Sequence, residues 1–293
     1  MARSWLRRPI HRMGHSGDMT APSVAEPTRS AAPGGPVIGP AVAVAIAGAL
    51  ALAGLVMAAL SSSTGQLVDD AAMNAVTASS TAEITLLSVL GRVSLGAILA
   101  VAVVCVAIAL LRRRFAHAVG ALAIIGGANI STQVLKAALD RPDLGVGLHL
   151  ANSLPSGHTT VVASAVAALV LVVPAAIRPV LAAVGTAAIG LTGLSTIVAG
   201  WHRPADVVGA LLMVVIWTGI VAAVLGGHRG RTLGSSLTAL LGAAASVIFL
   251  GVVGVRPASS WSDVVLATSV LGAVAALTAA AVTLFVAVTP AHD

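Results

Sequence analysis

Two segments of this chain place a histidine beside residues that could support chemistry on an anion. One is the run Pro-Ser-Gly-His at 155–158, and the other contains His202 and, four positions later, Asp206. An imidazole can act as a nucleophile or a proton donor near neutral pH, and a neighbouring carboxylate can hold it in one tautomer. The pattern therefore indicates a reactive site and not a purely structural arrangement.

The first segment predicts an anion-binding helix start. Ser156 and Gly157 directly precede a long apolar stretch, so free backbone N–H groups and the positive end of the helix dipole should lie there. Such a helix end binds anions, and glycine lets the backbone approach an anion closely. His158, at the same rim, could donate a proton to a leaving oxygen.

The second segment predicts a helix start that contains a carboxylate. Proline favours the first helical position, so Pro204 would make Arg203 the N-cap residue and Asp206 the third helical residue. A side chain at that third position can reach back toward the cap. Asp206 could therefore hold one ring nitrogen of His202 and leave the other nitrogen free to attack.

The elements that would position these residues are membrane helices. Apolar residues make up 58% of the chain and charged residues 9%, which is typical of an integral membrane protein. A span of about 20 apolar residues crosses the ~30 Å hydrocarbon core. Such long runs exclude the alternating strands of an outer-membrane barrel, so we expect an all-α, polytopic helical bundle. About eight spans are predicted, at 37–60, 85–111, 118–139, 158–177, 180–199, 205–225, 233–253 and 264–288.

Basic residues are distributed unevenly between the two ends of these spans. If the N-terminus is cytoplasmic, most of the 16 Lys and Arg residues, including the run at 112–114, lie on the cytoplasmic side. Basic residues in short loops stay on that side, so the net charge of +6 indicates topology and not nucleic-acid binding. We expect a multi-pass protein of the cell membrane, with both termini cytoplasmic and His158, His202 and Asp206 at the outer face.

Two polar segments lie outside the predicted spans. Residues 1–36 are rich in Pro, Ser, Gly and Arg without apolar periodicity, which predicts a disordered cytoplasmic tail. The segment 61–84 is predicted to be a loop, because it is mostly small and polar; it carries Asp69, Asp70 and Glu83, and its residues give no indication of its role.

The two histidine segments resemble motifs of the type 2 phosphatidic acid phosphatase (PAP2) superfamily, which also includes acid phosphatases and vanadium haloperoxidases. Its three motifs are K-x6-R-P, P-S-G-H and S-R-x5-H-x3-D. Here P-S-G-H is complete at 155–158, and the third motif is represented by Ser195-Thr196 followed, at the expected spacing, by His202 and Asp206. The resemblance implies a six-helix catalytic core over 37–225, with two added helices and a short tail at 226–293.

The resemblance also implies roles for individual residues. His202 would attack phosphorus to give a phosphohistidine, Asp206 would support it, and His158 would protonate the leaving group and then activate water. No metal ion or other cofactor is required by this scheme. The residues expected to bind the phosphate oxygens are Lys136, Arg141, Ser156, Gly157, Ser195 and Arg203.

Two positions depart from the superfamily motifs. Arg141-Pro142 stands two residues early relative to Lys136, so that Asp143 occupies the arginine position of the first motif. Thr196 occupies the arginine position of the third. Each missing guanidinium removes a bidentate phosphate contact. Either Arg141, Arg203 or Arg92 compensates for this loss, or the pocket prefers a different phosphate, or catalysis is slow.

The sequence thus predicts a membrane lipid phosphatase whose site faces the extracytoplasmic side. Its expected partners are membrane lipids and a lipid phosphate substrate, either a polyprenyl diphosphate, a phosphatidic acid or a phosphatidylglycerol phosphate. The two missing arginines motivate a second hypothesis, a non-catalytic membrane protein that binds or moves phosphorylated lipids. Haloperoxidase activity, known from soluble relatives, is a third hypothesis. The choice of lipid, the oligomeric state and the role of the last two helices stay open.

Overall fold

A computed structural model describes residues 38–91, 95–146, 151–227, 232–258 and 260–290. The predicted tail at 1–36 and Arg92 lie outside these ranges. A helical bundle accounts for nearly all of the described chain. Its helices are α1 Ile38–Ser61, α2 Ser63–Asn74, α3 Ser80–Gly91, α4 Leu95–Leu111, α5 Phe115–Ala138, α6 Gly157–Val172, α7 Arg178–Val198, α8 Pro204–Val224, α9 Leu233–Val253 and α10 Trp261–Val288.

The apolar helices confirm an all-α, multi-pass architecture. Within the described ranges, six helical segments are long and apolar enough to cross a membrane, and they correspond to α1, α5, α7, α8, α9 and α10. Two shorter apolar helices, in α4 and α6, fall in the remaining predicted spans. α6 ends at Val172, and one 3₁₀ turn at Ala175–Ile177 leads into α7.

One predicted span is described in two parts, and one predicted loop differs from the structure. The stretch 85–111 was expected to be a single helix, and its described residues are helical, in α3 up to Gly91 and in α4 from Leu95, but α3 already begins at Ser80. The hydroxyl of Ser79 accepts a hydrogen bond from the N–H of Ala82 and so caps α3. Leu86 packs in one apolar cluster with Leu194 of α7 and Leu250 of α9, which fixes α3 against the bundle. The cap and this packing therefore place the start of α3 five residues before the predicted span.

The segment 61–84 is also structured. Ser62 caps α2 by accepting a hydrogen bond from the N–H of Gly65. A three-residue strand, β1 Val76–Ala78, follows α2 and pairs antiparallel with β2 Val255–Pro257, which follows α9. Thr77 lies opposite Arg256 in this pair. The pairing attaches α2 and α3 to the end of the bundle at which α9 terminates.

Close backbone contact holds α9 against α7 and α8 against α1. A Cβ atom at Gly242 of α9 would lie 2.1 Å from the carbonyl oxygen of Ala183 in α7. At Gly219 of α8 it would lie 2.9 Å from the carbonyl oxygen of Ala41 in α1. Small residues allow membrane helices to approach this closely, and a larger side chain at either glycine would separate them.

The alternating direction of the helices collects the candidate residues at one end of the bundle. α5 and α7 end at the end of the bundle where α6 and α8 begin; residues 139–156 lie between α5 and α6, and residues 199–203 between α7 and α8. The N–H of Ser156, before α6, donates to the carbonyl oxygen of Asp206 in α8 at 2.9 Å. This bond joins the starts of the two helices that carry the predicted histidines.

Candidate active site

The start of α6 is capped by the Pro-Ser-Gly-His run. Ser156 is the N-cap residue, and its hydroxyl accepts hydrogen bonds from the N–H of Thr159 at 3.4 Å and from the Thr159 hydroxyl at 3.1 Å. The Ser156 side chain is therefore buried and engaged in the cap, and its backbone N–H is bonded to Asp206. The first backbone N–H groups of a helix have no partner within it, so Gly157 and His158 supply the donors at this helix end.

The start of α8 has the geometry predicted from residue spacing. Arg203 is the N-cap residue, Pro204 opens the helix, and the Asp206 carboxylate reaches back to the Arg203 N–H at 3.0 Å. Oδ2 of the same carboxylate lies 3.0 Å from Nδ1 of His202. Because an ionised carboxylate only accepts hydrogen bonds, Nδ1 carries the proton and Nε2 keeps its lone pair.

A third donor fixes the Asp206 carboxylate. The hydroxyl of Ser153 donates to Oδ2 of Asp206 at 2.5 Å. Neither Ser153 nor its neighbour Asn152 was predicted as part of the site. Asn152 donates to the carbonyl oxygens of Lys136 at 3.2 Å and of Leu139 at 2.9 Å, so it ties this segment to the end of α5.

The two histidines lie side by side. Their ring centroids are 6.5 Å apart, and the ring of Trp201 lies 5.7 Å from that of His158. His202 is buried, whereas His158 is half-buried at the rim. A polar cleft of about 200 Å³ opens beside His202, and its lining consists of Met73, Ala151, Ser153, Gly200, Trp201, His202 and Arg203.

The turn before His202 is held by Thr196. The Thr196 carbonyl oxygen accepts hydrogen bonds from the N–H groups of Trp201 at 3.0 Å and His202 at 3.1 Å. Its hydroxyl donates to the carbonyl oxygen of Gly193 at 2.7 Å. Gly200, inside the turn, has a φ of +69°, which glycine adopts without strain. The residue at the motif's arginine position thus supports the turn through its backbone.

Two arginines converge on one carboxylate beside the histidines. Nε of Arg203 donates to Oδ1 of Asp70, and Nη2 of Arg141 donates to the same oxygen at 3.3 Å. Both arginines are buried. Nη1 of Arg203 also donates to the Ser153 hydroxyl at 3.3 Å. Asp70, in α2, was not predicted as part of the site.

A second carboxylate from α2 contacts the start of α8. Oδ1 of Asp69 accepts a hydrogen bond from the N–H of Ala205 at 2.9 Å. The pKa of Asp69 is raised to about 6, mainly by burial and to a lesser extent by the nearby charge of Asp206, although the Ala205 N–H and the two arginines act to lower it. Asp69 thus satisfies a free donor at a helix start and titrates near neutral pH.

The other predicted residues occupy varied positions. Lys136 is half-buried in the last turn of α5, close enough to interact electrostatically with Asp206 and His158. Asp143, at the first motif's arginine position, is exposed and accepts a hydrogen bond from the Gly145 N–H at 2.8 Å. Ser195 is fully buried, and its hydroxyl has no hydrogen-bond partner among the described residues.

The donors of the site suit an anion with several oxygens. Lys136, Arg141 and Arg203 supply charged donors, and the start of α6 supplies backbone N–H groups. Across the described ranges, no group of three or more His, Cys, Asp and Glu side chains is arranged to hold a metal ion.

Comparison with protein families agrees with the motifs. Residues 117–229 match the family model of the PAP2 superfamily, which confirms the resemblance over this segment. The match includes both histidines, Asp206, Lys136 and Arg141, but not α2. Members of the superfamily are generally phosphatases. Searches of curated proteins and of solved structures gave no match to this chain.

Proposed function

We propose that this chain, with its PAP2 superfamily segment at 117–229, is a membrane lipid phosphatase that works through a phosphohistidine on His202. Its substrate is a phosphate monoester or diphosphate of a lipid: a polyprenyl diphosphate, a phosphatidic acid or a phosphatidylglycerol phosphate. The observation that carries this proposal is the convergence of His158 and His202, 6.5 Å apart, beside Asp206 at one end of the bundle.

In the first step, Nε2 of His202 attacks phosphorus. The bond from phosphorus to the leaving oxygen breaks, its electron pair goes to that oxygen, and protonated His158 donates a proton to it. The phosphorylated ring of His202 gains positive charge. Asp206, bonded to Nδ1, stabilises this charge and holds the ring in the attacking orientation.

In the second step, water removes the phosphoryl group. His158, now neutral, takes a proton from a water molecule whose oxygen attacks phosphorus. The bond between Nε2 and phosphorus breaks, and its electron pair returns to the ring. The products are inorganic phosphate and the starting state of both histidines.

Fixed donors around the cleft stabilise the charge that develops on the phosphate oxygens. The N–H groups at the start of α6, the ammonium of Lys136 and the guanidinium groups of Arg141 and Arg203 lie at the same end of the bundle as the two histidines. Such preorganised donors stabilise a transition state without having to rearrange during the reaction. The two guanidinium groups replace the arginines that the first and third motifs lack.

We propose that the site faces the extracytoplasmic side. The basic run at 112–114 follows α4 at the end of the bundle opposite the site, where α5 begins. The positive-inside rule makes that end cytoplasmic. At the outer face, the tails of the substrate stay in the bilayer while the phosphate meets water.

The test is phosphate release by the purified protein from a panel of the three lipid phosphates, without added metal ions. We expect release from at least one lipid and none from His202→Ala. His117→Gln, which changes a histidine at the opposite end of α5, is the matched control and should keep wild-type turnover. Retained turnover in His202→Ala would refute the assignment of the nucleophile.

The same experiment separates catalysis from lipid binding alone. The exposed Asp143 and the backbone-bonded Thr196 stand where the superfamily motifs have arginine, which is the observation in favour of a non-catalytic protein. Acid quenching followed by mass spectrometry should detect phosphate on His202. Lipid binding without phosphate release from any lipid of the panel would support the non-catalytic alternative.

A further inference from the structure

We infer that Asp70 is a positioning residue of the site, which fixes the guanidinium groups of Arg203 and Arg141 and, through Arg203, the pair His202–Asp206. The inference rests on the proposed function, because it assigns to Asp70 an effect on the same phosphate chemistry. Asp70 lies in α2, outside the segment that matches the PAP2 superfamily. The site is therefore completed by a part of the chain that the motifs do not include.

α2 presents one polar face to the site. Gln66, Asp69 and Asp70 are buried, and their spacing of three and four residues places them on the same side of a helix. Asp69 accepts a hydrogen bond from the N–H of Ala205, which follows Arg203 and Pro204 in the chain. Nε2 of Gln66 donates to the carbonyl oxygen of Pro142, the residue after Arg141, at 3.1 Å.

Continuous hydrogen bonds connect Asp70 to the proposed nucleophile. Asp70 accepts from Nε of Arg203, and Nη1 of Arg203 donates to Ser153 at 3.3 Å. Ser153 donates to Asp206 at 2.5 Å, and Asp206 lies 3.0 Å from Nδ1 of His202. A change in the orientation of the Arg203 guanidinium would therefore reach the carboxylate that orients His202.

The positive charges of Arg141 and Arg203 explain why the carboxylate of Asp70 is needed to hold them in place. Arg141 and Arg203 are both buried, and two like charges in such surroundings require a counter-charge. Burial and then the nearby charge of Arg203 lower the pKa of Arg141, and Asp70 opposes this shift. Without the carboxylate, the two guanidinium groups would repel each other and leave their present orientation.

The anchoring of α2 favours positioning over competition with phosphate. A mobile carboxylate on the two arginines would act as an internal inhibitor, and its removal would tighten phosphate binding. Asp70 is instead held in a helix whose Gln66 and Asp69 are bonded to the segments that carry the arginines. Removal of a positioning carboxylate would raise KM, whereas removal of an inhibitory carboxylate would lower it, so kinetics can separate the two roles.

The test uses the full-length protein with Asp70→Asn, which keeps the side-chain shape and removes the charge. We expect KM for the lipid phosphate to rise about tenfold and kcat to fall about threefold, and Asp70→Glu to recover part of the loss. Glu83→Gln removes an exposed carboxylate from α3 and is the matched control with unchanged kinetics. An unchanged or lower KM in Asp70→Asn would overturn the inference.

A double-mutant cycle tests the route through Arg203. In an Arg203→Lys background, Asp70→Asn should reduce kcat/KM by a smaller factor than in the wild-type background, because the guanidinium contact to Arg203 is already lost and only the contact to Arg141 is left to lose. A merely structural Asp70 would lower the thermal midpoint and reduce kcat/KM by the same factor in both backgrounds. That result would also overturn the inference.

A binding measurement keeps this inference distinct from the proposed function. If the wild-type protein releases no phosphate from any lipid, the proposed phosphatase activity fails, and orthovanadate titrated calorimetrically then serves as the probe. Weaker binding of vanadate by Asp70→Asn, by about tenfold, would support the positioning role. Equal or tighter binding by the variant, or no binding to either protein, would overturn it.

Discussion

The two ends of the bundle bury arginines to nearly the same extent but use them differently. Arg203, at the site end, is 4% exposed, and Arg178, at the opposite end, is 5% exposed. Arg203 donates to the carboxylate of Asp70 and to Ser153. Arg178 donates to the carbonyl oxygens of Thr289 at 3.2 Å and Pro290 at 2.7 Å, just after α10 ends.

The difference shows that the partners of a buried arginine, and not its burial, indicate its role. The carbonyl groups at the end of a helix carry partial negative charge and need donors, which Arg178 supplies to α10. The bonds of Arg203 lead instead through Ser153 and Asp206 to a histidine. We therefore expect substitutions at the site end to change catalysis and those at the opposite end to change stability.

The largest effect after loss of His202 itself is expected for Asp206→Asn. An amide can donate as well as accept, so it no longer fixes the proton on Nδ1 of His202, and the attacking nitrogen is protonated in part of the molecules. We expect kcat to fall about 10³-fold, by analogy with other histidines that lose an orienting carboxylate. Steady-state release of phosphate measures the fall.

Asp143→Asn is the control for this substitution, since it changes an exposed aspartate that stands at a motif position. Its kcat should equal that of the wild-type protein. A kcat of Asp206→Asn within about tenfold of wild type would mean that Asp206 serves only as a helix cap, which is worth about 1 kcal/mol.

A smaller effect should separate the two buried arginines directly. Lysine lacks the guanidinium fork, so Arg203→Lys cannot contact Asp70 and Ser153 together. We expect KM to rise about tenfold, equivalent to about 1.4 kcal/mol of binding free energy. Arg178→Lys can still donate to carbonyl oxygens, so its KM should stay at the wild-type value while its thermal midpoint falls.

Kinetics and thermal unfolding of both variants in the same detergent give the comparison. If Arg178→Lys raised KM as much as Arg203→Lys, the loss would come from weaker folding in general. The two ends of the bundle would then not differ in their effect on catalysis.

The sequence was informative where the contacts are local or follow from hydropathy. His202 and Asp206 are four residues apart, so the rules for a helix start were enough to predict their hydrogen bond. The apolar runs predicted the helices, and the alternating direction of successive spans predicted that the starts of α6 and α8 lie at one end. The convergence of the two histidines follows from these two features.

Contacts between distant segments could not be predicted in this way. Asp70 and Arg203 are 133 residues apart, and nothing in either segment indicates the other. α2 belongs to a stretch without strong hydropathy, although Ser62 as a cap and the spacing of Gln66, Asp69 and Asp70 are signals of a helix with one polar face. The start of α3 at Ser80, before the apolar run, depends on the Ser79 cap and on packing of α3 against α7 and α9, which hydropathy does not record.

The smallest expected effect concerns the pH dependence of stability at the site end. The pKa of Asp69 is about 6 in the folded protein and 3.8 when unperturbed, so the folded state binds the proton more tightly. The stabilisation from the protonated group is complete below pH 3.8 and is lost as the pH rises through 6. Above that pH, the wild-type protein carries a buried ionised carboxylate that Asp69→Asn lacks.

The rise in the pKa of Asp69 is equivalent to about 3 kcal/mol of unfolding free energy. An amide accepts a weaker hydrogen bond from the Ala205 N–H than a carboxylate does, which offsets part of this energy and leaves about 1 kcal/mol. The thermal midpoint of Asp69→Asn relative to wild type should therefore rise between pH 4 and pH 7. Arg178→Lys, at the opposite end, alters no group that titrates in this window. The difference between its thermal midpoint and that of wild type should therefore stay constant. If the thermal midpoints of Asp69→Asn and wild type changed equally with pH, Asp69 would be better solvated than its burial suggests.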